Sequence, residues 1–230
     1  MAGGSEKCFT TKLRAQIYYY TIILSKLYVK ITFMNIKKIN PKKIVDFMIM
    51  AGKLKWLKRS GWLQLKMPEP ESVAEHTFRV VILSRILAPY LGLNSEKLTA
   101  MAIFHDFAEG MFGDPINEFY INNKIVKGED NFAKANKFME KVFDDLQVPE
   151  LYLYWKENIL EDKPNATEYS KILYQIGVIA NVWQAFEYEL RGVSKETTKR
   201  FWVSADYNVT NPFLKQILSA FKRLQKSYKV

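Results

Sequence analysis

The stretch from Ala166 to Arg191, ATEYSKILYQIGVIANVWQAFEYELR, is proline-free and too long for a strand, and it stops at Gly192. It reads as one long helix. Its middle, YQIGVIANVW, is apolar with no polar face. A helix of that kind has to be enclosed by other elements, so the rest of the chain must furnish a shell around it. The other patterns are helical too. Asn40-Pro41 opens a helix to about Lys55, with Ile44, Phe47, Met48 and Ala51 at core spacing. Ser72 is placed to cap a helix to about Tyr90, whose inward stripe is Val73, His76, Val80, Leu83 and Leu87. Asn94 caps the next, with Leu98, Met101, Ala102 and His105 on its buried side and Gly110 and Gly113 at its end. Helices from about Asp130 to Leu146 and Leu151 to Leu160 precede the long one, with Glu161–Asn165 as a linker. Ser194 and Asn211-Pro212 start the last two. Pro115–Gly128 reads as loop. No repeat, glycine-rich phosphate loop or strand alternation is present, which excludes a Rossmann or P-loop enzyme. The expected fold is an all-α bundle.

At 230 residues the chain is long enough for one large helical domain. Its net charge of +10 is unevenly placed. Residues 1–60 hold 13 of the 34 basic and 2 of the 24 acidic side chains, leaving 21 against 22 for the remainder. The surplus describes a basic arm and not a nucleic-acid face on the domain. Residues 1–33 read as an extension, with Met34 as the expected natural start, residues 34–226 as the domain, and 227–230 as a tail. The apolar run QIYYYTIILSKLYVKITF is broken by Lys26 and Lys30, which argues against a membrane span. Cys8 is the one cysteine, so no intrachain disulfide forms, and a cytoplasmic setting is expected.

The chemistry concentrates in AIFHDFAEGMFGD, Ala102–Asp114. His105 and Asp106 are adjacent, and Glu109 follows Asp106 by three residues, so on a helix all three can converge. The chain has only two histidines, and His76 lies in a second polar island, PEPESVAEH. An N,N,O set from His76, His105 and Asp106 suits a divalent cation. Without a cation, each histidine reads equally as a hydrogen-bonded structural residue. Arg59, in RSGW, has the guanidinium that suits phosphate, whereas Trp62 reads as either ligand contact or packing. Arg79 is open between a phosphate contact and an i,i+4 pair with Glu75. Asp114 orients a water or only turns the chain before Pro115.

The runs LKWLKRSGW (Leu54–Trp62), PESVAEHTFR (Pro70–Arg79) and HDFAEGMFGD (His105–Asp114), with QAFEYE (Gln184–Glu189), resemble the HD-domain metal-dependent phosphohydrolases, in the branch that includes 5′-deoxynucleotidases. The likeness covers Met34 to about Leu224. It implies an HD-domain helical bundle, a metal on His76, His105 and Asp106, catalytic roles for Glu109 and Asp114, and substrate contacts from Arg59, Trp62 and Arg79. The implied cofactor is Mn, Co, Zn, Fe or Mg, the implied substrate a nucleoside 5′-monophosphate, possibly deoxy, and the implied assembly a homodimer. Nucleic acid and membrane are not expected partners. In that register a late metal-binding Asp falls at Gly177 and a following Glu at Ala180. Two expectations follow. Either a three-ligand site works with water in the gap, or the chain is a non-catalytic member binding a nucleotide or a protein. Asp162, Glu168 and Asp206 are the candidate replacement ligands. A third expectation is an anionic-surface or nucleic-acid binder acting through the basic arm.

Overall fold

Small polar side chains start five of the helices by accepting backbone N–H groups that have no partner within the helix. Ser72 begins α3 (Val73–Leu87) with a full capping box, in which its hydroxyl accepts from Glu75 N while the Glu75 carboxylate accepts from Ser72 N. Asn94 does the same for α4 (Ser95–Phe104), accepting from Lys97 N. Thr167 caps α8 (Glu168–Leu190), Ser194 caps α9 (Lys195–Asn208), and Asn211 caps α10 (Pro212–Ser227). Before them in the chain come α1 (Pro41–Lys53) and the single turn α2 (Ser60–Gln64). Between α4 and α8 lie α5 (Glu109–Phe112), α6 (Phe132–Asp145) and α7 (Pro149–Asn158). The computed structural model describes residues 39–114, 118–121, 124–127, 132–158 and 166–228. The expectations for residues 1–33, for Cys8, for Asp162 and the 161–165 linker, and for the last two residues of the tail lie outside these. The described elements belong to the unit Pro41–Val230.

The long helix is the enclosed one. Along α8, Ile172, Leu173, Ile176, Ile179, Val182 and Ala185 are buried, and α3, α4, α7, α9 and α10 pack around it. Trp62, Val80, Leu98, Met101, Trp202, Leu214 and Phe221 complete that core. A second cluster, built on Leu54, Val73, Phe107, Met139, Phe143 and Trp155, lies beneath α1, α6 and α7. Burial of a side chain of this size stabilises by about 1.5–3 kcal/mol. The bundle therefore rests on apolar enclosure of one helix.

Three local expectations are corrected. The helix after Asn94 does not run through to Gly110: α4 stops at Phe104, residues 105–108 form a turn, and α5 follows. Phe107, Glu109 and Gly110 each donate to the carbonyl three residues back, so the chain tightens there without losing its direction. On α1, Ile44 and Met48 face outward, 46% and 60% exposed, while Phe47, Met50 and Ala51 pack inward and Phe47 stacks on Phe107 at 4.8 Å. The stretch expected as loop before α6 contains an antiparallel strand pair, β1 (Glu118–Ile121) with β2 (Lys124–Lys127), in register from Glu118 opposite Lys127 to Ile121 opposite Lys124. No helix among the described residues is long and apolar enough to cross a membrane.

Candidate metal centre

The capping box at Ser72 places His76 one turn into α3, on the stripe with Val73 and Val80, and leaves it 2% exposed. His105 is the first residue after α4, and Asp106 follows in the turn. His105 Nδ1 lies 2.8 Å from the Ala102 carbonyl. Only a ring N–H can satisfy that oxygen, so Nδ1 carries the proton and Nε2 is left to act as a ligand. Asp106 Oδ2 is 3.1 Å from His105 Nε2 and 3.9 Å from His76 Nε2. The two rings are 5.5 Å apart. One donor atom from each of His76, His105 and Asp106 lies within 4.8 Å of the other two.

The approach of His105 Nε2 to Asp106 lacks hydrogen-bond geometry, and this nitrogen is buried with no hydrogen-bond partner among the described residues. Two donors that close, aimed past one another, suit a third atom bound by both. Leaving such a polar atom unsatisfied costs about 1–3 kcal/mol, which a cation would recover. The residues therefore fit a divalent metal.

Residues 51–221 match the HD-domain family. The chain belongs to the HD-domain family. It is 26% identical over 192 residues to the 5′-deoxynucleotidase HDDC2 of Danio rerio, covering 80% of this chain and 86% of that protein. It is 29% identical over 161 residues to the 5′-deoxynucleotidase hdd1 of Schizosaccharomyces pombe, covering 69% and 78%. Among solved structures, the PH0347 protein of Pyrococcus horikoshii OT3 superposes with a TM-score of 0.59 at 26% identity, over 78% of this chain and all but 1% of that one, its coverage being 99%. A predicted metal-dependent phosphohydrolase from Magnetospirillum magnetotacticum MS-1 shares the fold, with a TM-score of 0.54 at 18% identity over 80% and 94%. The all-α bundle expected of the chain is thus the HD fold, with one small strand pair added.

Around its three donors this HD domain arranges the Arg59 guanidinium and two more carboxylates, Asp114 and Glu109. Arg59 Nη1 donates to Asp106 Oδ2 at 3.0 Å and to Asp114 Oδ1 at 3.4 Å. Asp114 also accepts from the Ser60 backbone N–H, while the Ser60 hydroxyl donates to the Asp114 carbonyl at 2.9 Å. Burial opposes ionisation of Asp106, but His105 and Arg59 outweigh it and hold the carboxyl well below its usual range. Burial likewise opposes protonation of His105, and Asp106 reverses that, so its pKa is raised. For His76, burial and then the nearby Arg59 charge push the pKa well below the ordinary value. Burial, reinforced by Asp106 and Asp114, pushes Glu109 well above the carboxylate range, and Asp114 is raised by burial against the opposing pull of Arg59. Without a metal ion, Glu109 holds its proton to higher pH than Asp106 does.

The remaining expected residues stand further back. Trp62 is 1% exposed, with its ring against Phe201 at 3.9 Å and Tyr188 at 5.0 Å. It offers no open face for stacking. Arg79 does not pair with Glu75, which is occupied in the capping box; it forks onto Glu187, donating from both terminal nitrogens at 2.8 Å. Asp206 is exposed and pairs with Lys222, and Glu168 is exposed in the first turn of α8. Neither is among the clustered donors. At Gly177, a Cβ would meet, beyond its own helix backbone and chain neighbours, one atom of the described residues within 4 Å, His76 Nε2 at 4.0 Å. Ala180 is fully buried.

Glu71 is the residue that sequence reasoning missed. It is 4% exposed, accepts from Trp62 Nε1 at 3.1 Å, and has Oε2 3.9 Å from His76 Nδ1. Burial raises its carboxyl to about 7. With the Gln184 amide turned nitrogen-first, it donates to Glu71 and Glu187 at 3.2 Å each, and the Tyr188 hydroxyl accepts from Glu71 N at 2.8 Å. The signal was present in QAFEYE: Gln184, Glu187 and Tyr188 recur at helical spacing on an otherwise apolar helix, marking one polar face.

Proposed function

We infer that this HD domain is a metal-dependent phosphohydrolase acting on nucleoside 5′-monophosphates, deoxynucleotides among them. One observation carries the reading: His76, His105 and Asp106 bring their donors within 4.8 Å of one another around a buried, unpartnered imidazole nitrogen. The similarity to 5′-deoxynucleotidases supports the substrate class.

His76 Nε2, His105 Nε2 and Asp106 would hold the cation, whether Mn, Co, Zn, Fe or Mg. Once bound, such an ion neutralises phosphate charge and acidifies a water towards neutrality. The chain's own groups do the rest. Glu109 is poised to exchange a proton, because burial and two neighbouring carboxylates raise its affinity for one. Asp114, anchored by Ser60 and Arg59, would orient that water. Arg59 brings a guanidinium to the same carboxylates, where it neutralises incoming phosphate charge. Arg79 reaches a phosphate by exchanging its Glu187 partner, and Trp62 acts through Glu71 beneath His76. The near-neutral charge beyond residue 60 supports a small-molecule substrate over nucleic acid. We further propose a cytoplasmic homodimer, for which the outward apolar side chains of α1, Val45, Met48 and Ile49, supply a contact surface.

Phosphate release from a panel of ribo- and deoxyribonucleoside monophosphates, with each metal in turn, tests the reading. Release that His105→Ala abolishes is the expected result. No release across the whole panel overturns it.

A further inference from the structure

Gly177 stands in the middle of α8, between buried neighbours, and is itself partly exposed. Ile176, Ile179 and Ala180 are fully buried, and Val178 is 9% exposed. Crowding from other elements gives no reason for a glycine here: beyond its own helix backbone and its two chain neighbours, a Cβ would meet only His76 Nε2 among the described residues, at 4.0 Å. Glycine within a helix costs about 0.5–1 kcal/mol relative to alanine. What it leaves is a solvent-reached notch on the donor side of His76, since the same Nε2 faces Asp106 at 3.9 Å.

The charge of the donor set says what belongs there. Two neutral imidazoles and one carboxylate carry a formal charge of −1, so a divalent cation among them retains a surplus of +1. Hard anionic oxygen is the ligand that such a surplus favours. The geometry points to a site completed by its ligand: the Gly177 notch admits a phosphoryl oxygen as the missing donor, so that metal and phosphate bind this chain cooperatively. This rests on the phosphohydrolase reading and deepens it. The protein holds its metal weakly alone and firmly in the presence of a phosphate monoester. By linkage, the metal tightens the phosphate by the same factor.

The test measures binding and not turnover. Co2+ is titrated into the metal-free full chain, followed by its visible absorption, with and without saturating methylphosphonate, which cannot be hydrolysed; sodium chloride matches the ionic strength. For the native chain, methylphosphonate tightens Co2+ at least tenfold and changes the band intensity. Gly177→Asp, which places a carboxylate in the notch, binds Co2+ at least tenfold tighter without methylphosphonate, and the enhancement falls below twofold. Should that variant not melt cooperatively, Gly177→Ser takes its place with the same direction expected. Equal Co2+ affinity with and without methylphosphonate in the native chain overturns the inference. So does a folded Gly177 variant that gains no affinity or keeps the full enhancement. Phosphate release from nucleotides without such coupling would leave the phosphohydrolase reading intact and remove only this one.

Discussion

His105 donates its Nδ1–H to the Ala102 carbonyl at 2.8 Å, and this one bond decides which ring nitrogen faces Asp106. The acceptor lies one turn back, within α4, so the last turn of α4 aims the proposed ligand. His105→Ala removes the donor and leaves α4 intact, because the helix already ends at Phe104. Even residues that only orient a ligand are worth about 10–100-fold in metal affinity, so loss of the ligand itself should exceed about 100-fold. The melting temperature in chelator should change little. Calorimetric metal titration beside a thermal melt checks both, and a variant that still binds metal within tenfold would refute the assignment of His105.

Arg59 is the counter-ion for Asp106 and Asp114 together, at 3.0 and 3.4 Å. Arg59→Ala leaves two largely buried carboxylates without their cation, beside Glu109, whose proton affinity burial raises. Removing one member of a buried pair costs about 3–5 kcal/mol, and partial exposure here reduces that to about 2 kcal/mol. A bound divalent ion replaces the missing positive charge. Urea unfolding should therefore show the loss in chelator and a smaller loss with saturating Co2+. An equal loss in both would place the contribution of Arg59 in packing.

Trp62 lies under the site with its indole closed off by Phe201 and Tyr188. Trp62→Phe keeps most of the packing and removes the N–H that Glu71 accepts. A hydrogen bond to a charged or partly charged group is worth about 1.5–3 kcal/mol, so stability should fall by about 2 kcal/mol. KM for a nucleoside monophosphate should stay within about threefold, because no ring face meets the substrate. A tenfold rise in KM with unchanged stability would instead make the indole a substrate contact.

What the sequence made legible was local. The caps at Ser72, Asn94, Ser194 and Asn211 involve a side chain and a backbone group at most three residues away, so residue type alone foretells them. The placement of His76 followed from the Val73, Val80, Leu87 stripe. Contacts between distant segments were another matter. Arg79 and Glu187 are 108 positions apart, and nothing near Arg79 marks Glu187 over the adjacent and plausible Glu75. The outward turn of Ile44 and Met48 was hidden for the same reason: periodicity shows that α1 has an apolar face without showing which edge of it the bundle covers. Glu71 went unassigned because a carboxylate beside a helix cap ordinarily points to solvent, and only the approach of Trp62 and Tyr188 closes it in.

Glu71 gives the metal-free protein a pH dependence whose sign follows from burial. Its carboxyl has an ordinary value of 4.5 and is raised to about 7 in the folded chain. Between those values the folded chain keeps a proton that the unfolded chain releases, so this contribution is complete below pH 4.5 and is lost as pH rises through 7. At about 1.4 kcal/mol per pH unit, the loss is at most about 3.5 kcal/mol. His76 works in the opposite direction: its folded pKa is depressed, so the unfolded chain gains a proton as pH falls below 6.5 and stability drops there. The native pH profile sums both effects, and Glu71→Gln isolates one of them. The glutamine oxygen still accepts from Trp62 Nε1, and the neutral side chain no longer titrates. In chelator, the stability of Glu71→Gln relative to the native chain should climb by about 2–3 kcal/mol from pH 5 to pH 8. Urea unfolding at unit pH steps measures this difference directly. Parallel profiles would mean that Glu71 is ionised throughout, and that water or a cation reaches it beneath His76.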